Sequence, residues 1–105
     1  MKLTIAQSTL LRIIAAAPDG LWYPRDFPIV EDTYLSLDGS AIAQTSKALW
    51  RKGLAVQNQK LGPYASWITD EGRKVAEQEK GKPLTWISMT HQHPKDRKAA
   101  IRRAG

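Results

Sequence analysis

No cysteine occurs in this 105-residue chain, so disulfide staples and thiolate metal sites are both excluded. Histidine is nearly as scarce. His91 and His93 are the two present, and a closed metal site needs about four ligands. Neither a metal nor an organic cofactor is expected. No nucleophile stands near a usable base in the pattern, and no glycine-rich phosphate loop follows a strand, so enzymatic chemistry is not expected either. Long apolar runs are missing too: no stretch approaches the roughly 20 residues that a membrane-crossing helix requires. Lys2 followed by LLRIIAAA has the outline of a secretory leader, but Arg12 breaks the run and Gln7, Ser8 and Thr9 shorten it. A membrane-free, cytoplasmic protein is the expectation.

The most informative absence is local. From Gly39 to Thr69 there is no acidic residue, while Lys47, Arg51, Lys52 and Lys60 are basic. Residues 18–38 show the reverse, with Asp19, Asp26, Glu31, Asp32 and Asp38 against Arg25 alone. Up to residue 79 the charges cancel. The net +6 therefore resides in residues 80–105, where Lys80, Lys82, Lys95, Arg97, Lys98, Arg102 and Arg103 face only Asp96. The chain is polarised, with a cationic end.

The acid-free stretch has a readable order. Ile42, Ala43, Ser46, Leu49, Trp50 and Gly53 recur at helical spacing and predict a core-facing stripe on a helix over 40–52, with Ser40 as its cap. Ser40, Gln44, Lys47 and Arg51 fall opposite. A solvated helix face ordinarily mixes signs and gains from Glu–Lys pairs one turn apart. This one has no carboxylate. It is either plain surface or a face built to lie against an anion, with Gln44 and Thr45 placed for base edges and Lys47, Arg51 and Lys52 for phosphates. Gly53 stops the helix. Leu54 to Gln57 and Tyr64 to Thr69 then alternate around the turn-forming residues 58–63, which predicts a hairpin. Thr69-Asp70-Glu71 is a helix start, a capping hydroxyl followed by two acids that meet the helix dipole.

In this order, ALWRKGLAV and SWITDEGRKVAE resemble the recognition-helix end, wing and following helix of winged helix-turn-helix DNA-binding domains of the MarR-like bacterial and phage type. LTIAQSTLLRIIAAAPDG is similar to their first helix. The likeness spans roughly residues 3–80. It implies duplex DNA binding by the helix at 40–52, with Ser40, Gln44 and Thr45 facing bases and Lys60 on a wing that touches backbone or minor groove. Gly39 and Ala41 stand where such domains often carry longer polar readers, so base readout is expected to be sparse.

The flanking segments complete the expectation. Thr4 and Gln7 form a capping box for a first helix that Pro18-Asp19-Gly20 ends. Leu21-Trp22-Tyr23 predicts a short strand edging the hairpin. Pro28, with Glu31 and Asp32 behind it and Ile29, Val30, Thr33, Tyr34 and Leu37 at helical spacing, predicts the second helix of the helix-turn-helix, with Asp38-Gly39 as the turn. Trp50 and Trp67 are assigned to core positions, Trp22 to the same sheet, and Trp86 to a docking anchor. Leu84, Trp86, Ile87 and Met89 either fold back or pack against a second copy, which leaves a homodimer through the C-terminal extension open. A last helix is expected after Pro94.

The sequence thus predicts an α+β winged helix, residues 1–80, with a basic extension over 81–105. The expected function is sequence-specific binding of double-stranded DNA by a small transcriptional regulator, with Arg97, Lys98, Arg102 and Arg103 gripping phosphates. The alternative is a winged helix protein-interaction module that contacts its partner through Trp86 and the acidic 18–38 segment.

Overall fold

Capping chemistry sets the helix boundaries. The computed structural model describes residues 2–24 and 28–87, and in it helix α1 spans Ile5–Ala16. Thr4 Oγ1 accepts from the Gln7 amide at 3.0 Å while Gln7 Oε1 accepts from the Thr4 amide at 3.2 Å, completing the capping box. Strand β1 (Leu21–Trp22) follows a short 3-10 turn at Pro18–Gly20. Then come β2 (Ile29–Val30), β3 (Thr33–Tyr34), α2 (Gly39–Arg51), β4 (Ala55–Gln57), β5 (Ser66–Ile68) and α3 (Asp70–Glu79). This is a small α+β domain of three helices and antiparallel sheets among the described residues.

One sheet has the order β1-β5-β4, so the edge strand and the hairpin expected from the sequence both form. In register, Leu21 lies beside Trp67 and Trp67 beside Val56. Helix α1 packs against α2 and α3. Leu10, Leu11, Ile14, Leu35, Leu49 and Leu54 are fully buried where these elements meet.

The expected helix over 28–37 is not present. That segment is a second sheet, with Ile29 paired to Tyr34 and Val30 to Thr33 around a two-residue turn. Glu31 and Asp32 both sit in the left-handed region, at φ 49° and 65°, the backbone that a tight primed hairpin turn demands. β-branched Ile29, Val30 and Thr33 favour the extended state. Glu31 is a poor residue for left-handed backbone, and its partners hold it there. Its carboxylate accepts from Arg12 Nη1 at 3.2 and 3.3 Å and from the Gly81 amide at 3.1 Å. Arg12 is only 3% exposed, and also donates to the carbonyls of Lys82 and Pro83 at 3.0 and 2.9 Å. A charge this deep requires such partners. The i, i+3, i+4 pattern of 29–37 was thus outweighed by contacts distant in sequence.

After α3 the chain folds back on the body. Leu84 and Trp86 pack against the core, the Thr85 amide donates to Thr9 Oγ1 at 3.0 Å, and the Ser36 amide donates to the Trp86 carbonyl at 2.6 Å. Ile87 bridges to Leu35. The first residues of the extension therefore belong to the globular body. Met89 and the helix expected after Pro94 lie outside the described residues.

Candidate nucleic-acid interface

Helix α2 is anchored at both ends. Asp38, not Ser40, is its cap, with Oδ1 accepting from the Ser40 and Ala41 amides at 2.9 and 3.2 Å. At the other end Gly53 adopts φ 75°, and the Gly53 and Leu54 amides donate to the Trp50 and Leu49 carbonyls, each at 3.1 Å. That is a Schellman closure, with Leu54 and Leu49 both buried beneath it.

Between these ends the helix has two sides. Ile42, Thr45, Ser46 and Leu49 are buried. Ser40, Gln44, Lys47 and Arg51 are exposed and, with Ala43, line a shallow furrow along the helix. Lys52 is exposed just past its end and Lys60 on the β4–β5 loop. Among the described residues the ion pairs are Arg12–Glu31, Lys80–Glu77 and Lys82–Glu79, so Lys47, Arg51, Lys52 and Lys60 remain without a carboxylate. Unpaired cations on one side of a rod suit a polyanion.

Thr45 corrects the expectation. It is 7% exposed and points to the core beside Ser46, so it cannot meet a base. Successive positions on a helix diverge by about 100°, so Thr45 lies at the border between outward Gln44 and inward Ser46, and its burial assigns it to the inner side. Arg97, Lys98, Arg102 and Arg103 lie outside the described residues, as do His91 and His93. Among the described residues no group of His, Asp and Glu could hold a metal, and no helix is long and apolar enough to cross a membrane.

Trp50 couples α2 to the hairpin. Its ring stacks on Tyr64 at a centroid distance of 6.3 Å and an angle of 15°. Its Nε1 donates to Ser66 Oγ on β5 at 2.9 Å. The same contact explains a second correction. Trp67, expected in the core, is 43% exposed, because the inner position of β5 goes to small, fully buried Ser66 beneath the indole of Trp50.

Compared with known families, characterised proteins and solved structures, the chain matches none. The interface therefore rests on its own residues.

Proposed function

We propose that this chain binds double-stranded DNA sequence-specifically as a small cytoplasmic transcriptional regulator of bacterial or phage type. It would do so as a winged helix in which the β2–β3 hairpin replaces the second helix. Helix α2 enters the major groove. Gln44 and Ser40 face base edges, while Lys47, Arg51 and Lys52 meet phosphates, and the β4–β5 loop with Lys60 forms the wing. The single observation that carries this reading is the exposed side of α2, which holds unpaired cations and no acid. Arg97, Lys98, Arg102 and Arg103 add sequence-independent attraction. A homodimer through the C-terminal extension would use what Leu84 and Trp86 leave exposed, since both pack partly on their own chain.

The testing experiment is a gel-shift titration of the full chain and of a chain ending at residue 87, at two salt concentrations. Sequence preference that survives the truncation supports the reading. Binding that vanishes with the tail sinks it.

For the alternative, a protein-interaction module, Trp86 packs partly against its own core and Glu31 pairs with Arg12, while Asp19 and Asp32 of the acidic segment are exposed. A different observation keeps it in view. Val56, 53% exposed, and Trp67 form one outward row with half-buried Leu21 across the three-stranded sheet. Trp67→Ser with unchanged DNA affinity would show that this row serves something other than the duplex.

A further inference from the structure

The β4–β5 loop is closed by its own groups. The Asn58 amide donates to the Ala65 carbonyl at 2.8 Å, the Leu61 amide to the Asn58 carbonyl at 3.2 Å, and the Gly62 amide to the Gln59 carbonyl at 3.3 Å. The polar side chains turn inward on the same loop. Gln57 Nε2 donates to the Pro63 carbonyl at 2.9 Å, Gln59 Nε2 to Gln57 Oε1 at 3.4 Å, and Asn58 Oδ1 accepts from the Lys60 amide at 3.1 Å. Most of the side-chain amide groups of the loop are therefore engaged in shaping it. Outward at the tip are Gln59, the Lys60 ammonium and the side chain of Leu61, which is 48% exposed. A loop with this many internal bonds does not need Leu61 for its own cohesion.

We infer that Leu61 is an apolar wedge that the wing presses into the minor groove of duplex DNA at a deformable base step, with Lys60 anchoring the adjacent phosphate. The inference rests on the DNA-binding reading above and specifies what its wing does. Branched apolar side chains inserted from the minor groove partly unstack a step and kink the duplex. Pyrimidine–purine steps yield most easily, so selectivity arises there without hydrogen bonds. Rigidity is needed for this, because a mobile leucine would fold away from the stack. The internal bonds of the loop supply it locally, and the Trp50 contacts with Tyr64 and Ser66 fix the hairpin to α2. Docking of α2 then determines where Leu61 arrives.

The test uses the full chain and a duplex of about three helical turns, enriched by the wild-type chain from a random-sequence pool and labelled at its ends for energy transfer. Saturation with wild type is expected to shorten the end-to-end distance by a bend within about 20–90°. Leu61→Ala, checked for unchanged circular dichroism, is expected to bind but not to bend, and Leu61→Met to restore the bend. Lys60→Ala is expected to bend normally while lowering the salt slope of log K by about one. Wild type that binds without bending, or Leu61→Ala that bends as well as wild type, overturns the wedge and leaves the α2 reading intact. Failure to enrich any duplex overturns both.

Discussion

The indole of Trp50 and the hydroxyl of Ser66 form a 2.9 Å hydrogen bond between α2 and the central strand of the sheet. Ser66 is fully buried, so its hydroxyl has no water to fall back on. Ser66→Ala leaves a half-buried N–H unpaired and is expected to cost about 1–2 kcal/mol in urea denaturation. Trp50→Phe in the Ser66→Ala background should cost less than in wild type, because the bond is already absent. Additive losses in that cycle would mean that the two groups do not interact.

On the outer side of α2, the proposed DNA contacts divide into charge and base readout. Lys47→Ala and Arg51→Ala are each expected to weaken binding to all duplexes and to lower the salt slope by about one. Gln44→Ala is expected to relax preference at one base pair, at a cost of about 1–3 kcal/mol, with the slope unchanged. Thr45, being buried, should alter stability rather than sequence preference. Binding isotherms at several salt concentrations check the statements on binding, and urea denaturation checks the one on Thr45 stability.

Helix α3 starts so close to the chain that leaves α2 that position 72 has room only for hydrogen. A Cβ built on Gly72 would overlap the Leu54 carbonyl oxygen and crowd Ile68. Thr69 reinforces the approach: its Oγ1 donates to the Gly53 carbonyl at 2.8 Å and accepts from the Gly72 amide at 2.9 Å. Alanine is the better helix former by about 1 kcal/mol, yet Gly72→Ala is expected to destabilise by about 1–3 kcal/mol through overpacking. A thermal midpoint at or above that of wild type would contradict the crowding.

Glu79, buried near the end of α3, accepts from Lys82 Nζ at 2.8 Å. That bond holds its pKa below the usual glutamate range, against the opposing effect of burial. A depressed folded pKa contributes stability that is complete above the unfolded value and is lost as pH falls through the folded one. Lys82 is more than half exposed, so screening limits the pair to roughly 0.5 kcal/mol. Glu79→Gln should therefore be slightly less stable than wild type at neutral pH, and the difference should close as pH falls below the ordinary glutamate range. A gap that persists in acid would assign the loss to packing instead.

Much of this arrangement was legible in the sequence because it depends on local chemistry. The Thr4–Gln7 box, the glycine stop at Gly53 and the Thr69 cap each act within one turn, and so does the alternation that marks the hairpin. The two faces of α2 follow from spacing alone, except where Thr45 lies between them. What escaped is what depends on distant partners. Residues 29–34 became a hairpin because Arg12 and the Gly81 amide receive Glu31 at its turn. Trp67 turned outward because Trp50 had already filled the space over Ser66.

Arg12 reaches Glu31 across 19 residues of chain, and the carbonyls of Lys82 and Pro83 across 70 and 71. Bonds over such spans form only after the intervening loops have closed, late on the route from the disordered chain. Interactions absent at the barrier top retard escape from the native basin without hastening arrival. The clamp is therefore expected to govern how long the domain persists once formed, so that Arg12→Met speeds unfolding while leaving the folding rate nearly unchanged.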